Sequence, residues 1–279
     1  MPSVTIKKLG IIAGGGRMPA LLVESCRASG RNFFVLALED HTDMVLGDIP
    51  HKIVRLGAIG EALRTLKKEK VEEVILAGHV GRPTLASLRP DMTATLWLAK
   101  LGSGIFSGDD ALLSAIVTIM EEENFHVVGM QEVLAHLLTP EGTLGKHKPG
   151  KKQMEDIARG MQVVKTLGDL DIGQAAIVEN GYVLGVEAAE GTEALVARCG
   201  ALPQHEQGNG VLVKAKKPKQ DIRADLPTIG TDTVEQAHAA GLAGIAVEAG
   251  GSIILDLADV IALADRYKLF ILGARHADE

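Results

Sequence analysis

Three consecutive glycines, Gly14, Gly15 and Gly16, close an apolar run over residues 9–13 and give way to Pro19 and an amphipathic stretch that reaches Cys26. A short apolar run bounded by glycine is the pattern of a strand buried on both faces, and proline is tolerated only in the first turn of a helix. A strand that passes through a glycine loop into a helix opens a βα unit. It commits the following chain to a parallel sheet with right-handed crossovers.

The first half keeps that alternation. Residues 33–38 read as a second buried strand, 59–69 as an amphipathic helix, 71–77 as a third strand, 111–123 as a helix and 125–129 as a strand. This predicts an α/β fold with an open parallel, Rossmann-like glycine-loop domain over residues 1–140. Residues 141–150 are rich in Gly, Pro and polar residues and read as a linker. Beyond it the pattern changes to a helix at 152–167 and a hairpin at 175–186 built on Asn180-Gly181. A strand at 210–213, a helix at 231–241, a second hairpin at 245–255, a helix to Tyr267 and a strand at 269–272 follow. Residues 151–279 are therefore expected to form a mixed α+β domain. Two domains suit a chain of 279 residues, and 46% apolar with only 3% aromatic residues implies layers packed by Leu, Ile, Val and Ala.

Composition also excludes several functions. A net charge of −7 argues against nucleic acid as a partner. Cys26 and Cys199, two thiols far apart in sequence, fit a reducing compartment, with the cytoplasm as the default. No signal-peptide pattern is present, and no apolar run reaches the roughly 18 residues needed to cross a bilayer, so a soluble or peripherally attached protein is expected.

The chemistry concentrates in residues 214–227, where Lys214, Lys216, Lys217, Lys219 and Arg223 surround Asp221 and Asp225 between Pro218 and Pro227. The prolines stiffen a loop, the cations suit phosphate, and the carboxylates can hold a divalent metal or orient water. A solvated charged turn is the plainer reading. Gly14, Gly15, Gly16 and Arg17 can cradle a phosphate at a helix start, or simply make a tight turn. The dinucleotide fingerprint fails at Pro19, although Glu39 stands where a ribose-binding acid would. A second loop, Gly78-His79-Val80-Gly81-Arg82, follows the third strand and belongs at the same sheet edge. There His79 could donate a proton and Arg82 could grip phosphate with two bonds. Of Asp109 and Asp110, one is expected as an N-cap, leaving the other for metal. Thr192, after Glu190 and Gly191, opens a helix whose start could hold a phosphate or sugar. Residues 85–101, with Met92, Leu96, Trp97, Leu98 and Leu101, read as a core helix or as an apolar wall facing lipid. No Cys-His zinc pattern, serine elbow or Walker lysine loop occurs.

Taken together, the stretches 10–19, 78–83, 108–110, 190–193 and 217–227 resemble the UDP-2,3-diacylglucosamine pyrophosphatase family of lipid A biosynthesis, in the form unrelated to calcineurin-like phosphoesterases. The likeness covers essentially the whole chain. It implies a two-domain, Mg²⁺-dependent hydrolase that holds its substrate between the domains. The products would be 2,3-diacylglucosamine 1-phosphate (lipid X) and UMP, formed at the cytoplasmic face of the inner membrane. By motif position it makes Asp225 the essential carboxylate, assisted by Asp221 and Arg223. Asp225, Asp221 and Asp110 would serve as metal ligands. Gly14, Gly15, Gly16, Arg17, His79, Arg82, Thr192, Lys214, Lys217 and Gln220 would bind substrate. A pyrophosphate diester needs cations around its scissile bond and a positioned water, which matches this residue set. Acyl chains need apolar burial at about 0.8 kcal/mol per CH₂. A nucleotide-dependent oxidoreductase and a non-catalytic nucleotide-sugar or lipid-binding regulator are the competing readings.

Overall fold

The computed structural model describes residues 7–81, 88–101, 109–218, 223 and 226–275. The chain divides into two compact units, Met1–Ala135 with Asp221–Asp225, and His136–Gln220 with Leu226–Glu279.

In unit 1 the expected opening forms, with β1 at Leu9–Ala13 and α1 at Met18–Ser29. Pro19 sits in the first turn of α1, and Gly30 caps its end with a left-handed φ of 67°, where glycine carries no β-carbon penalty. Then come β2 (Phe33–Leu38), β3 (His51–Val54), α2 (Ile59–Lys68), β4 (Glu73–Ala77), α3 (Met92–Leu101), α4 (Asp109–Glu122), β5 (His126–Val127) and α5 (Met130–Val133). All five strands are parallel, in the order β3-β2-β1-β4-β5. The chain therefore grows outward from β1 on one side and resumes beside β1 with β4 on the other. That reversal makes a switch point at the carboxyl ends of β1 and β4, where open α/β sheets bind ligands. Leu63 and Leu66 of α2 and Val117 and Met120 of α4 bury against Leu36, Val74 and Leu76 of the sheet. Each such side chain contributes about 1.5–3 kcal/mol. Glu61 in the first turn of α2 and Lys67 and Lys68 in its last turn match the helix dipole. The strand β3 was not expected, because its four residues begin with His51 and Lys52 and show no clean alternation.

Unit 2 comprises β6 (Gly142–Leu144), α6 (Lys151–Asp169), β7 (Ala175–Glu179), β8 (Tyr182–Val186), α7 (Gly191–Gly200), β9 (Val211–Lys214), β10 (Thr228–Ile229), α8 (Thr231–Ala239), β11 (Gly244–Glu248), β12 (Ile253–Ile254), α9 (Leu257–Tyr267) and β13 (Phe270–Ala274). Its main sheet has the order β6-β13-β11-β9-β7-β8 and is mixed. β9, β11 and β13 run parallel, while β6, β7 and β8 pair antiparallel with their neighbours. One face packs on α6 through Ile157 and Val164, and the other on Leu195, Val234 and Val260 of the later helices. The Asn180-Gly181 hairpin forms as expected, with φ of 50° and 82° at the turn.

Two expectations change here. Residues 245–255 do not form a hairpin, because β11 is buried between β9 and β13 and both its edges are occupied. The chain instead leaves the sheet at Gly250 and Gly251, and β12 pairs in parallel with β10. Residues 141–150, expected as a linker, supply β6 to the sheet of unit 2.

Candidate active site

The two glycine loops of unit 1 meet at the switch point. The Gly14 amide donates to the Ala77 carbonyl oxygen at 2.8 Å, the Gly15 amide to that of His79 at 2.9 Å, and the His79 amide back to that of Gly15 at 3.0 Å. Only glycine permits this approach. A β-carbon at Gly14 would stand 2.5 Å from the His79 carbonyl oxygen, and one at Gly78, whose φ is +86°, would stand 2.3 Å from that of Gly15. The His79 side chain is exposed beside the loop.

Gly16, with φ of +88°, directs its amide to the carboxylate of Asp43, at 3.0 and 3.1 Å from the two oxygens. The loop thus already holds an anionic group where a phosphate was expected. Asp43 was not singled out from sequence, since nothing local marks a residue in the loop after β2 as the partner of Gly16. Next to it, the Thr42 hydroxyl donates to the Ala13 carbonyl oxygen at 2.5 Å. Arg17 is exposed at the start of α1, whose first turn carries no acidic residue. Arg82 lies outside the described residues. α4 begins at Asp109, so Asp109 and Asp110 both fall within its first turn instead of preceding it.

In unit 2 the charged segment leaves the carboxyl end of β9. Lys214 is 6% exposed, and its ammonium donates to the Thr228 carbonyl oxygen at 3.2 Å. The amide of Lys216 donates to buried Glu248 at 2.9 Å, and its ammonium lies 3.5 Å from the other oxygen of that carboxylate. Lys217 pairs with Asp171 at 2.5 Å, with the lysine side chain only 11% exposed. A β-carbon at Gly168 near the end of α6 would stand 2.9 Å from the Lys217 Cα, so glycine lets the segment lie against that helix. Thr192 does not present a free hydroxyl, since it donates to Glu187 at 2.5 Å. Glu187 in turn accepts the Gln174 amide at 2.9 Å.

Arg223 pairs with Glu121, in the last turn of α4, at 2.6 Å. Gln220, Asp221 and Asp225 lie outside the described residues. Lys216, Lys217 and Arg223 are thus each held by a carboxylate that sequence reasoning missed. Glu248, Asp171 and Glu121 are distant along the chain, and no spacing rule links them to their partners. Among the described residues, no group of three or more His, Cys, Asp and Glu side chains could hold a metal ion, and no helix is long and apolar enough to cross a membrane.

Both units match families of known proteins. Residues 8–137 match the LpxI N-terminal domain and residues 140–272 the LpxI C-terminal domain. A protein of Caulobacter vibrioides named UDP-2,3-diacylglucosamine pyrophosphatase LpxI is 42% identical over 273 residues, spanning 96% of this chain and 98% of that relative. Among solved structures, CobK precorrin-6A reductase aligns over 98% of this chain and 91% of its own, with a TM-score of 0.36 and 12% identity.

Proposed function

The chain belongs to the LpxI family, and from that membership we propose that it hydrolyses the pyrophosphate bond of UDP-2,3-diacylglucosamine, yielding 2,3-diacylglucosamine 1-phosphate and UMP. The observation that carries the proposal is the 42% identity to a pyrophosphatase across nearly the full length of both chains. In the reaction water adds to one phosphorus, the bond from that phosphorus to the bridging oxygen breaks, and the oxygen departs with the other phosphate.

The described residues supply fitting parts. The glycine loop of unit 1 already accommodates a carboxylate at Gly16, which supports its capacity for a phosphate oxygen. Arg223 offers the planar donors that pair best with phosphate. Its bond to Glu121 stands for the pairing that an anionic substrate would compete with. Lys214, Lys217 and His79 add donors. The ion pairs of Lys216 and Lys217 orient the segment before substrate arrives, which lowers the cost of ordering it.

We assign the water-orienting role to Asp225, with Asp221 assisting. Both are carboxylates, as is Asp110, and oxygen donors of this kind suit Mg²⁺, a hard cation that keeps several waters. When bound, Mg²⁺ supplies charge neutralisation at the phosphate oxygens. A lipid substrate also fits the apolar side of α3. Ala94 is buried and Trp97 packs on the core, while Met92 and Leu96 are 78% and 65% exposed and Lys100 lies 4.6 Å above the Trp97 ring. This face is the proposed peripheral contact with the inner membrane from the cytoplasm.

The test is UMP release from UDP-2,3-diacylglucosamine by the wild type and by Asp225→Ala, with Mg²⁺ and with chelator. Absence of UMP from the wild type defeats the function. Full rate in Asp225→Ala defeats only the residue assignment, and full rate in chelator defeats the metal.

A further inference from the structure

The carboxyl edge of the unit 2 sheet carries the Lys214 segment, but one cavity of this unit opens at the opposite edge. It measures about 420 Å³ and lies among the turns that lead into β9, β11 and β13, beside the start of α6. That volume is within the range of small-molecule sites, roughly 300–1,000 Å³.

Its lining is chemically one-sided. Lys148, Lys268, His147 and His238 supply cations or donors, Gln153 and Gln207 supply amides, and no lining residue is acidic. In a chain with 36 acidic and 29 basic residues, such a wall is not what average composition would give. Among the described residues neither Lys148 nor Lys268 forms an ion pair. The candidate-site cations Lys217 and Arg223, by contrast, are each tied to a carboxylate.

Two backbone features point the same way. Lys268 caps α9 with a left-handed φ of 59°, a position where glycine would relieve strain. Exchange of Lys268 for glycine would therefore remove the ammonium while easing the backbone, which separates loss of the cation from loss of stability. Lys146, His147, Lys148, Lys151 and Lys152 crowd the start of α6, whose first turn has no acidic residue and whose N-cap, Gly150, has no side chain to offer. Lys151 faces Glu155 at 4.0 Å and the Lys146 amide donates to Asp265 at 2.7 Å, while the ammonium groups of Lys146, Lys148 and Lys152 remain at the positive end of the helix, where an anion would be favoured.

The aromatic pair decides which part of a ligand the cavity can grip. His238 and Tyr267 stack at 3.9 Å with planes 6° apart, and Arg266 covers Tyr267 at 5.8 Å. The Tyr267 ring is thus engaged by His238 and Arg266, so the pocket is suited to charge and ring edges more than to a stacked base.

We propose that this cavity is a second anion site that binds the phosphate group of a small phosphorylated molecule, separate from the hydrolytic site at the other sheet edge. The decisive variant is Lys268→Gly, which removes a cation while relieving the left-handed backbone. Binding of inorganic phosphate, inorganic pyrophosphate and UMP to the full chain is measured by calorimetry, alongside thermal unfolding. The expected result is at least roughly tenfold weaker binding of one class of anion sites, with a melting temperature equal to or above that of the wild type. Lys148→Ala should weaken the same class. A preference for pyrophosphate and phosphate over UMP identifies a free phosphate as the ligand source, and the reverse identifies a nucleotide. Identical binding by wild type and Lys268→Gly, or no anion binding by the wild type that Lys268 affects, overturns the proposal.

Discussion

The His79 imidazole lies across Gly15 so closely that a β-carbon at residue 15 would stand 2.7 Å from its Cε1, while the two backbones exchange hydrogen bonds. The glycine loop and the histidine loop therefore form one interlocked element, and the absence of a side chain at Gly15 makes room for His79.

Gly78→Ala is expected to unlock that element. The new β-carbon meets the Gly15 carbonyl oxygen at 2.3 Å, and φ of +86° is strained for alanine, so the loss of stability should be about 2 kcal/mol or more. Gly30→Ala, also left-handed but with nothing within 4 Å, should cost only about 1 kcal/mol. Urea unfolding of both variants checks the difference, and equal losses would show that the loop contact carries no weight.

Arg223 and Glu121 form an ion pair with side chains 30% and 47% exposed, so its share of stability should stay below about 1 kcal/mol after solvent screening. Arg223→Ala is instead expected to reduce UMP formation by roughly a hundredfold, and Arg223→Lys to recover part of it. Unchanged turnover would leave the residue as a surface ion pair.

Asp156 is 2% exposed on α6 and accepts the amides of Asn180 and Gly181 at 3.0 and 2.6 Å, fixing the β7–β8 turn. Asp156→Ala leaves two amides without their acceptor and should destabilise the fold by about 2–4 kcal/mol, with Asp156→Asn between. Chemical denaturation gives the ordering; an alanine variant as stable as the wild type would contradict it.

Burial pushes the thiols of Cys26 and Cys199 up, against the partial pull of Arg31 and Arg198. A raised thiol pKa contributes stability that is fully present below the unfolded value, near 8.5, and is lost as pH rises through that value toward the folded one. Stability should thus decline above about pH 8.5, and both thiols should resist an alkylating reagent until urea unfolds the chain. Rapid labelling of the native protein at pH 8 would refute this.

Local chemistry was readable in the sequence and distant pairing was not. Gly16 and Asn180-Gly181 announce their turns because few other residues adopt the conformations required, and Gly14 and Gly15 because a side chain there would collide with His79. The alternation of apolar runs and helices similarly places β1, β2 and β4 in one parallel sheet. Asp43, Asp171, Glu248 and Glu121 carry no such mark, since a carboxylate is an ordinary surface residue until the fold brings a cation or amide to it. The β6 strand escaped for the same reason. A Gly-Thr-Leu triplet among turn residues has no pattern of its own and becomes a strand only beside β13.

That pairing sets an order of events during synthesis. β6 emerges at the beginning of unit 2, yet its partner β13 is the last described strand, and β13 also completes the second edge of β11. Until β13 is made, β6 has no neighbour and β11 exposes an open edge along Ile245, Ala246 and Val247, the kind of surface that chaperones shield and that aggregates when left waiting. Folding of this unit should therefore be slow and late, governed by the arrival of one five-residue strand.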